Sequence, residues 1–377
     1  MTSQIVISIL VAAFLGWAAA SLWFARRRRR LTDSLGDPTA FRAGSRDQAS
    51  EGHTEVLSVV KEMDSQVRGR SLRARISAIR AALDDFGGGK AGDGGSLGVT
   101  VVPVSLEGFV AEWVLAPDSD PDRRFLYIHG GAFFAGSPLS HRPLTAELAK
   151  RTRASVLAID YRLLPEHPRL RGILDCQEAY VWMLTHGPDG EGPARRVYVG
   201  GDSAGGSLTL MLIAWIRDQG LRQVDAALAL SPTTDASGIS PSLRDNRHTD
   251  PMLGPGLGKL MTLPRPLLLL LVVVVARMRP SNPLISPVFG DLSRLPPTLI
   301  QASESEMLFD DCRRYALRAK AAGSPVALQT WPDMVHVWQI FVDILPEAVE
   351  AFDHIAQFFA KHGAAEHTET PRRAAHG

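Results

Sequence analysis

The chain has 377 residues, 45% hydrophobic and 21% charged, with 41 Lys and Arg against 40 Asp and Glu. That much apolar material builds a sizeable core, one large domain or one with a small cap. A formal net charge of +1 excludes a broad nucleic-acid footprint, and two cysteines, Cys176 and Cys312, exclude a disulfide framework or a zinc-ligand spacing.

In chain order, the first element is the run from Ile5 to Ala25, which carries no charge. It has about the 20 residues that a helix needs to cross bilayer hydrocarbon. Trp17, Trp23 and Phe24 gather in its C-terminal half, where aromatic rings suit the interface, and Arg26 to Arg30 follow at once. Cationic flanks stay cytoplasmic, so residues 1–30 are expected to anchor the chain in a membrane as a transmembrane helix, with the rest on the cytoplasmic side. The competing reading is a cleaved signal peptide, with Ala18-Ala19-Ala20 as its cleavage site. Against it, Thr2, Ser3 and Gln4 place no positive charge before the apolar core.

Residues 31–54 are polar and aperiodic, and read as a linker. Residues 55–98 read as a helical region that ends in a glycine-rich joint. Leu72, Ile76, Ile79 and Leu83 recur at helical spacing, and Phe86 to Gly98 reads as flexible. From residue 99 the texture changes. Val99 to Ser105 and Phe109 to Ala116 form a hairpin about Glu107-Gly108. Short apolar strands at 125–128, 155–159, 197–200, 226–230, 298–301 and 326–330 then alternate with helical stretches. Such alternation predicts an α/β fold over 99–362, a mostly parallel central sheet with helices on both faces. Residues 363–377 read as a disordered tail.

An insertion at about 235–282 reads as a helical cap. It contains Leu267 to Ala276, a wholly apolar run bounded by Pro264, Pro266 and Pro280. The run is too short to span a bilayer and is expected to be a buried helix, walling an acyl pocket with the helix at Leu72 to Leu83.

The chemistry centres on Gly201-Asp202-Ser203-Ala204-Gly205, a G-x-S-x-G pattern between a strand and a helix. On such a sharp turn the serine Oγ stands above the sheet edge, at a helix N-terminus that favours developing negative charge. Asp202 points elsewhere on the turn and braces it. Upstream, the strand Phe125 to Ile128 runs into His129-Gly130-Gly131-Ala132-Phe133. A glycine-rich loop there can offer bare backbone N–H groups to a carbonyl oxygen. The expected oxyanion hole is Gly130, Gly131 and Ala204. In this arrangement the histidine follows the nucleophile in the chain, and His336, on a short loop after the last strand, has the right placement. Glu166-His167 reads as a loop-fixing hydrogen-bond pair.

His129 to Phe133, Asp160 to Pro168 and Gly201 to Gly206 together resemble the hormone-sensitive-lipase-like esterases, the bacterial GDXG group (family IV) of the α/β-hydrolase superfamily. The likeness runs from about Val99 to Phe359 and includes Asp250-Pro251-Met252-Leu253 and Asn282 to Pro287. Ala132 stands where the family usually has a third glycine. The resemblance implies Ser203 as nucleophile, His336 as base and Glu306 as acid, at a place where many members have Asp. Asp310 is the second choice, and could instead cap the following helix. The implied reaction is hydrolysis of short- to medium-chain or lipophilic carboxylic esters through an acyl-enzyme, without metal or organic cofactor. Lactones fall within the same chemistry. A non-catalytic ligand-binding member of the fold would be expected to lose the base or the oxyanion loop.

Overall fold

The computed structural model describes residues 35–67, 69–91 and 94–363. Two helices come first, α1 (Gly52–Val67) and α2 (Leu72–Ala91). The strands of the main sheet are β1 (Thr100–Leu106), β2 (Phe109–Leu115), β3 (Asp120–Ile128), β4 (Ala154–Asp160), β5 (Arg196–Asp202), β6 (Ala226–Leu230), β7 (Thr298–Ser303) and β8 (Val326–Trp331). The helices between and after them are α3 (Arg142–Thr152), α4 (Arg169–Met183), α5 (Ser203–Asp218), α6 (Arg265–Ala276), α7 (Phe309–Ala321) and α8 (Pro346–Gly363).

The eight strands form one sheet in the order β1-β2-β4-β3-β5-β6-β7-β8. β2 runs antiparallel to both its neighbours, β1 and β4, so β3 to β8 are the predicted parallel sheet. Successive residues of β3 alternate between two cores. Phe125 and Tyr127 pack with Tyr198 and Phe359 on one face; Leu126 and Ile128 pack with Ile213 on the other. That is the period of two expected of a strand covered on both sides. The carboxyl ends of β3, β5, β7 and β8 therefore open at one edge, where an open parallel sheet places its ligands.

Three expectations need correction. Residues 37–51 are no free linker. The backbone N–H groups of Ala43 and Gly44 donate to Thr330 O, at 2.9 and 3.3 Å, and so cover the exposed edge of β8. Arg42 pairs with Glu304, and Ser50 is held by both carboxylate oxygens of Glu347. Nor is 86–98 a joint throughout, since α2 continues to Ala91. Its glycine has a packing reason, because a Cβ on Gly87 would lie 2.4 Å from Leu139 O. Finally, the apolar run does form a helix, α6, but not a buried one: only Leu268 is buried, and Val274 is 64% exposed. Among the described residues, none covers its outer face.

Among the described residues, no helix is long and apolar enough to cross a membrane. The run from Ile5 to Ala25 with its arginines, and the tail beyond Gly363, lie outside them.

Candidate active site

Ser203 sits where β5 turns into α5, with φ at +50°, a left-handed backbone that a side chain adopts only under strain. The flanking glycines are needed because β3 ends against the turn. A Cβ on Gly201 would lie 2.2 Å from Ile128 O, and one on Gly205 1.9 Å from it. Ser203 Oγ is thereby lifted off the sheet toward the loop after β8.

There the hydroxyl donates to His336 Nε2 at 2.9 Å, and His336 Nδ1–H donates to Glu306 Oε2 at 2.6 Å. Ser203 is half-buried, while His336 and Glu306 are buried. Glu306 lies in the loop after β7, and that loop is pinned from several sides. Ser303 N–H donates to Glu306 Oε1, and Ser303 Oγ donates to Met334 O next to the histidine loop. Asn246 donates to the carbonyls of Glu304 and Glu306, and Asp250 accepts from Met307 N–H. The Ser231 hydroxyl meets the Glu306 carboxylate. Asp310, the second choice for the acid, faces away: it accepts from Ser242 N–H and pairs with Arg313.

Burial opposes a charge on His336, yet the hydrogen bond and negative charge of Glu306 outweigh it and raise the imidazole above its ordinary 6.5. Burial also raises Glu306, against the pull of His336.

The oxyanion loop departs from expectation. Gly130 N–H donates to Asp202 Oδ1 at 2.9 Å, so it cannot face a substrate. Asp202 also accepts from Tyr127 Oη at 2.6 Å and lies 3.3 Å from His141 Nε2. Burial would raise Asp202, but the His141 charge and these donors hold it below its ordinary value. Among the described residues nothing accepts from the N–H of Gly131 or Ala132, both at positive φ. Ala204 lies in the first turn of α5, where N–H groups have no intrahelical acceptor. The free donors are thus Gly131, Ala132 and Ala204. The signal for Ala132 was its place in the loop, one residue further than the sequence suggested.

The Glu166–His167 pair does not form either. Glu166 instead pairs with Arg80 of α2, which also donates to Phe134 O and Leu164 O. A cavity of about 680 Å³ adjoins the acid loop through Asp250, and is lined also by Arg75, Arg247, His248 and Lys259. No residue of Leu267 to Ala276 lines it, so the expected apolar wall is absent from that cavity.

An eight-stranded, mostly parallel sheet carrying a serine–histidine–carboxylate chain over free backbone amides defines a hydrolase of acyl compounds. Comparison with known proteins agrees. A family model described as the alpha/beta hydrolase fold matches residues 125–340. An acetyl-hydrolase of Streptomyces hygroscopicus is 36% identical over 305 residues, 81% of this chain and 95% of that protein. An esterase of Acinetobacter venetianus is 34% identical over 265 residues, 69% of this chain and 82% of its own. The crystal structure of an esterase from the bacterial hormone-sensitive lipase family superposes with a TM-score of 0.71 at 32% identity, covering 84% of this chain and 99% of that one. The chain belongs to the hormone-sensitive-lipase-like esterases of the α/β-hydrolase superfamily, and is a carboxylesterase-like hydrolase.

Proposed function

We propose that this chain hydrolyses carboxylic esters in two steps through an acyl-enzyme on Ser203. The observation that carries the reading is the unbroken hydrogen-bond chain from Ser203 through His336 to Glu306. His336 takes the Ser203 proton as Oγ attacks the ester carbonyl, then gives it to the departing alkoxide. Glu306 holds the imidazole in the tautomer that leaves Nε2 free to accept, and stabilises the imidazolium. Gly131, Ala132 and Ala204 N–H receive the oxyanion; such a donor contributes about 2.7–4 kcal/mol to the barrier. Water, deprotonated by His336, then releases the acid and restores Ser203.

A fluorophosphonate probe should label the chain, and Ser203→Ala should abolish labelling together with ester hydrolysis. Persistent hydrolysis in that variant would refute the mechanism, and an unlabelled wild-type chain would favour a ligand-binding protein. The relative named acetyl-hydrolase supports esters of short acyl groups, and a screen over graded acyl chains tests how far the range extends.

The N-terminal run supports a second part of the reading, a single-helix anchor that leaves the catalytic part cytoplasmic. Alkali-resistant membrane association, with the body of the chain digested only from the cytoplasmic side, is the expected result. A mature chain that begins after Ala20 would mean a cleaved leader instead.

A further inference from the structure

The apolar helix α6 lies open on the cap. Leu267, Leu270, Leu271 and Val274, spaced as one stripe of a helix, are all exposed, and Val273 and Val275 flank them. A patch of this kind on a folded chain marks an interaction surface. Its surroundings say which. From Pro251 to Gly290 the sequence contains no Asp or Glu, while Lys259, Arg265, Arg277 and Arg279 all fall in that stretch. Lys259, Arg277 and Arg279 are exposed.

We infer that α6 docks on an anionic bilayer surface, its leucines and valines entering the acyl boundary while the cations meet lipid headgroups. A second copy of the chain suits the face poorly, since an isologous contact would bring two cationic rims together. The segment Ile5 to Ala25 suits it poorly too, because five arginines follow that segment. The position of Leu35, where the described chain begins, adds an independent argument. Its carbonyl accepts from Arg313, which pairs with Asp310, which accepts from Ser242. Leu243, the next residue, packs with Leu268, the buried residue of α6. The chain therefore enters the fold on the α6 side. Met307 and Leu308, directly after Glu306, share the same cluster, so the buried side of α6 packs against the acid loop of the site.

The test uses the full chain. Both native cysteines are buried, so Val274→Cys takes a single environment-sensitive fluorophore, and Val110→Cys on the exposed face of β2 serves as the reference. Each is mixed with vesicles of phosphatidylcholine alone or with phosphatidylglycerol added, and quenched by acyl-chain doxyl lipid or by aqueous iodide. Doxyl quenching at position 274 should exceed that at 110 by about twofold or more in anionic vesicles, with iodide access reduced. Replacing Lys259, Arg277 and Arg279 by Gln should lower the docked-to-undocked ratio by about fivefold per charge removed. Iodide access as free as in buffer would overturn the inference. Protection from both quenchers would overturn it in favour of a protein cover, and equal quenching in neutral vesicles would overturn the anionic surface. Flotation of the chain with vesicles is read separately and reports the N-terminal segment, so failure of the anchor and failure of docking are told apart.

Discussion

Glu306 with His336, and Asp202 with His141, are both buried carboxylate–imidazole pairs beside Ser203, at 2.6 and 3.3 Å. They differ in what the second ring nitrogen meets. His336 Nε2 accepts from the hydroxyl of Ser203, whereas His141 Nδ1 lies 2.8 Å from Ser140 Oγ and 3.3 Å from Ser137 O, a carbonyl that can only accept. They differ also in the carboxylate. Asp202 is held ionised by His141 and two other donors, and spends one of them on fixing Gly130. The same chemical pair is thus placed to act as a base beside Ser203 at one place and fixes Gly130 at the other. What the second nitrogen faces, a hydroxyl that can give up its proton or a carbonyl that can only accept one, decides which.

The comparison breaks first if the base pair is dispensable. His336→Ala should cost on the order of 10⁴ to 10⁶ in kcat/KM, because Ser203 is then left without a proton acceptor. Glu306→Gln keeps the shape but puts an amide where Nδ1–H needs a carboxylate, and should cost about 10⁴ in kcat with KM little changed. Asp310→Asn should leave kcat near wild type, since that carboxylate serves Ser242 and Arg313. Steady-state kinetics with a soluble ester checks all three. A larger kcat loss for Asp310→Asn than for Glu306→Gln would exchange their roles.

Asp202→Asn is the matching test of the brace. Removing one member of a buried ion pair leaves His141 uncompensated and should cost about 3–5 kcal/mol in folding free energy, read by urea denaturation. The kcat loss should be smaller than that of Glu306→Gln, because the asparagine carbonyl can still accept from Gly130 N–H. Full stability with a catalytic collapse would make Asp202 a chemical participant.

How far the sequence shows these roles follows from the range of each interaction. The elbow is legible because Gly201, Ser203 and Gly205 meet their requirement within five residues. The strand–helix alternation is legible for the same reason. The bond that turns Gly130 N–H away from the substrate is not legible, because its partner, Asp202, lies 72 positions away. Glu306 stands in the loop after β7 and Asp310 four positions on, in the first turn of α7; only their partners, His336 for one and Ser242 with Arg313 for the other, separate their functions. In residues 37–51 polarity suggested a linker, but those polar groups bond Glu304, Glu347 and Glu350 across the fold. For α6, composition implied burial; burial depends on what stacks above a helix, and composition does not carry that.

The base pair can be sharpened by pH. His336 must be neutral to accept the Ser203 proton, and its value is raised, so kcat/KM should fall as pH drops through a point above 6.5. After Glu306, the charge of Asp250 is the next to hold that value up. Asp250→Asn should therefore move the acid limb toward lower pH, and a limb that stays in place would remove Asp250 from the electrostatics of the site.

An exposed pair completes the series. Glu166 is held down to about 2, chiefly by its hydrogen bond to Arg80, in a place where solvent reaches more than half of its side chain. That depression overstates its contribution, because water and salt screen an exposed pair. Glu166→Gln should cost less than about 1 kcal/mol, since Arg80 keeps its bonds to Phe134 O and Leu164 O. Arg80→Met should cost more, because two part-buried carbonyls then lose their donor while Glu166 turns to solvent. Thermal unfolding of both variants decides the matter. Equal losses would mean that the ion pair, rather than the two carbonyl contacts, fastens α2 to the loops beside the site.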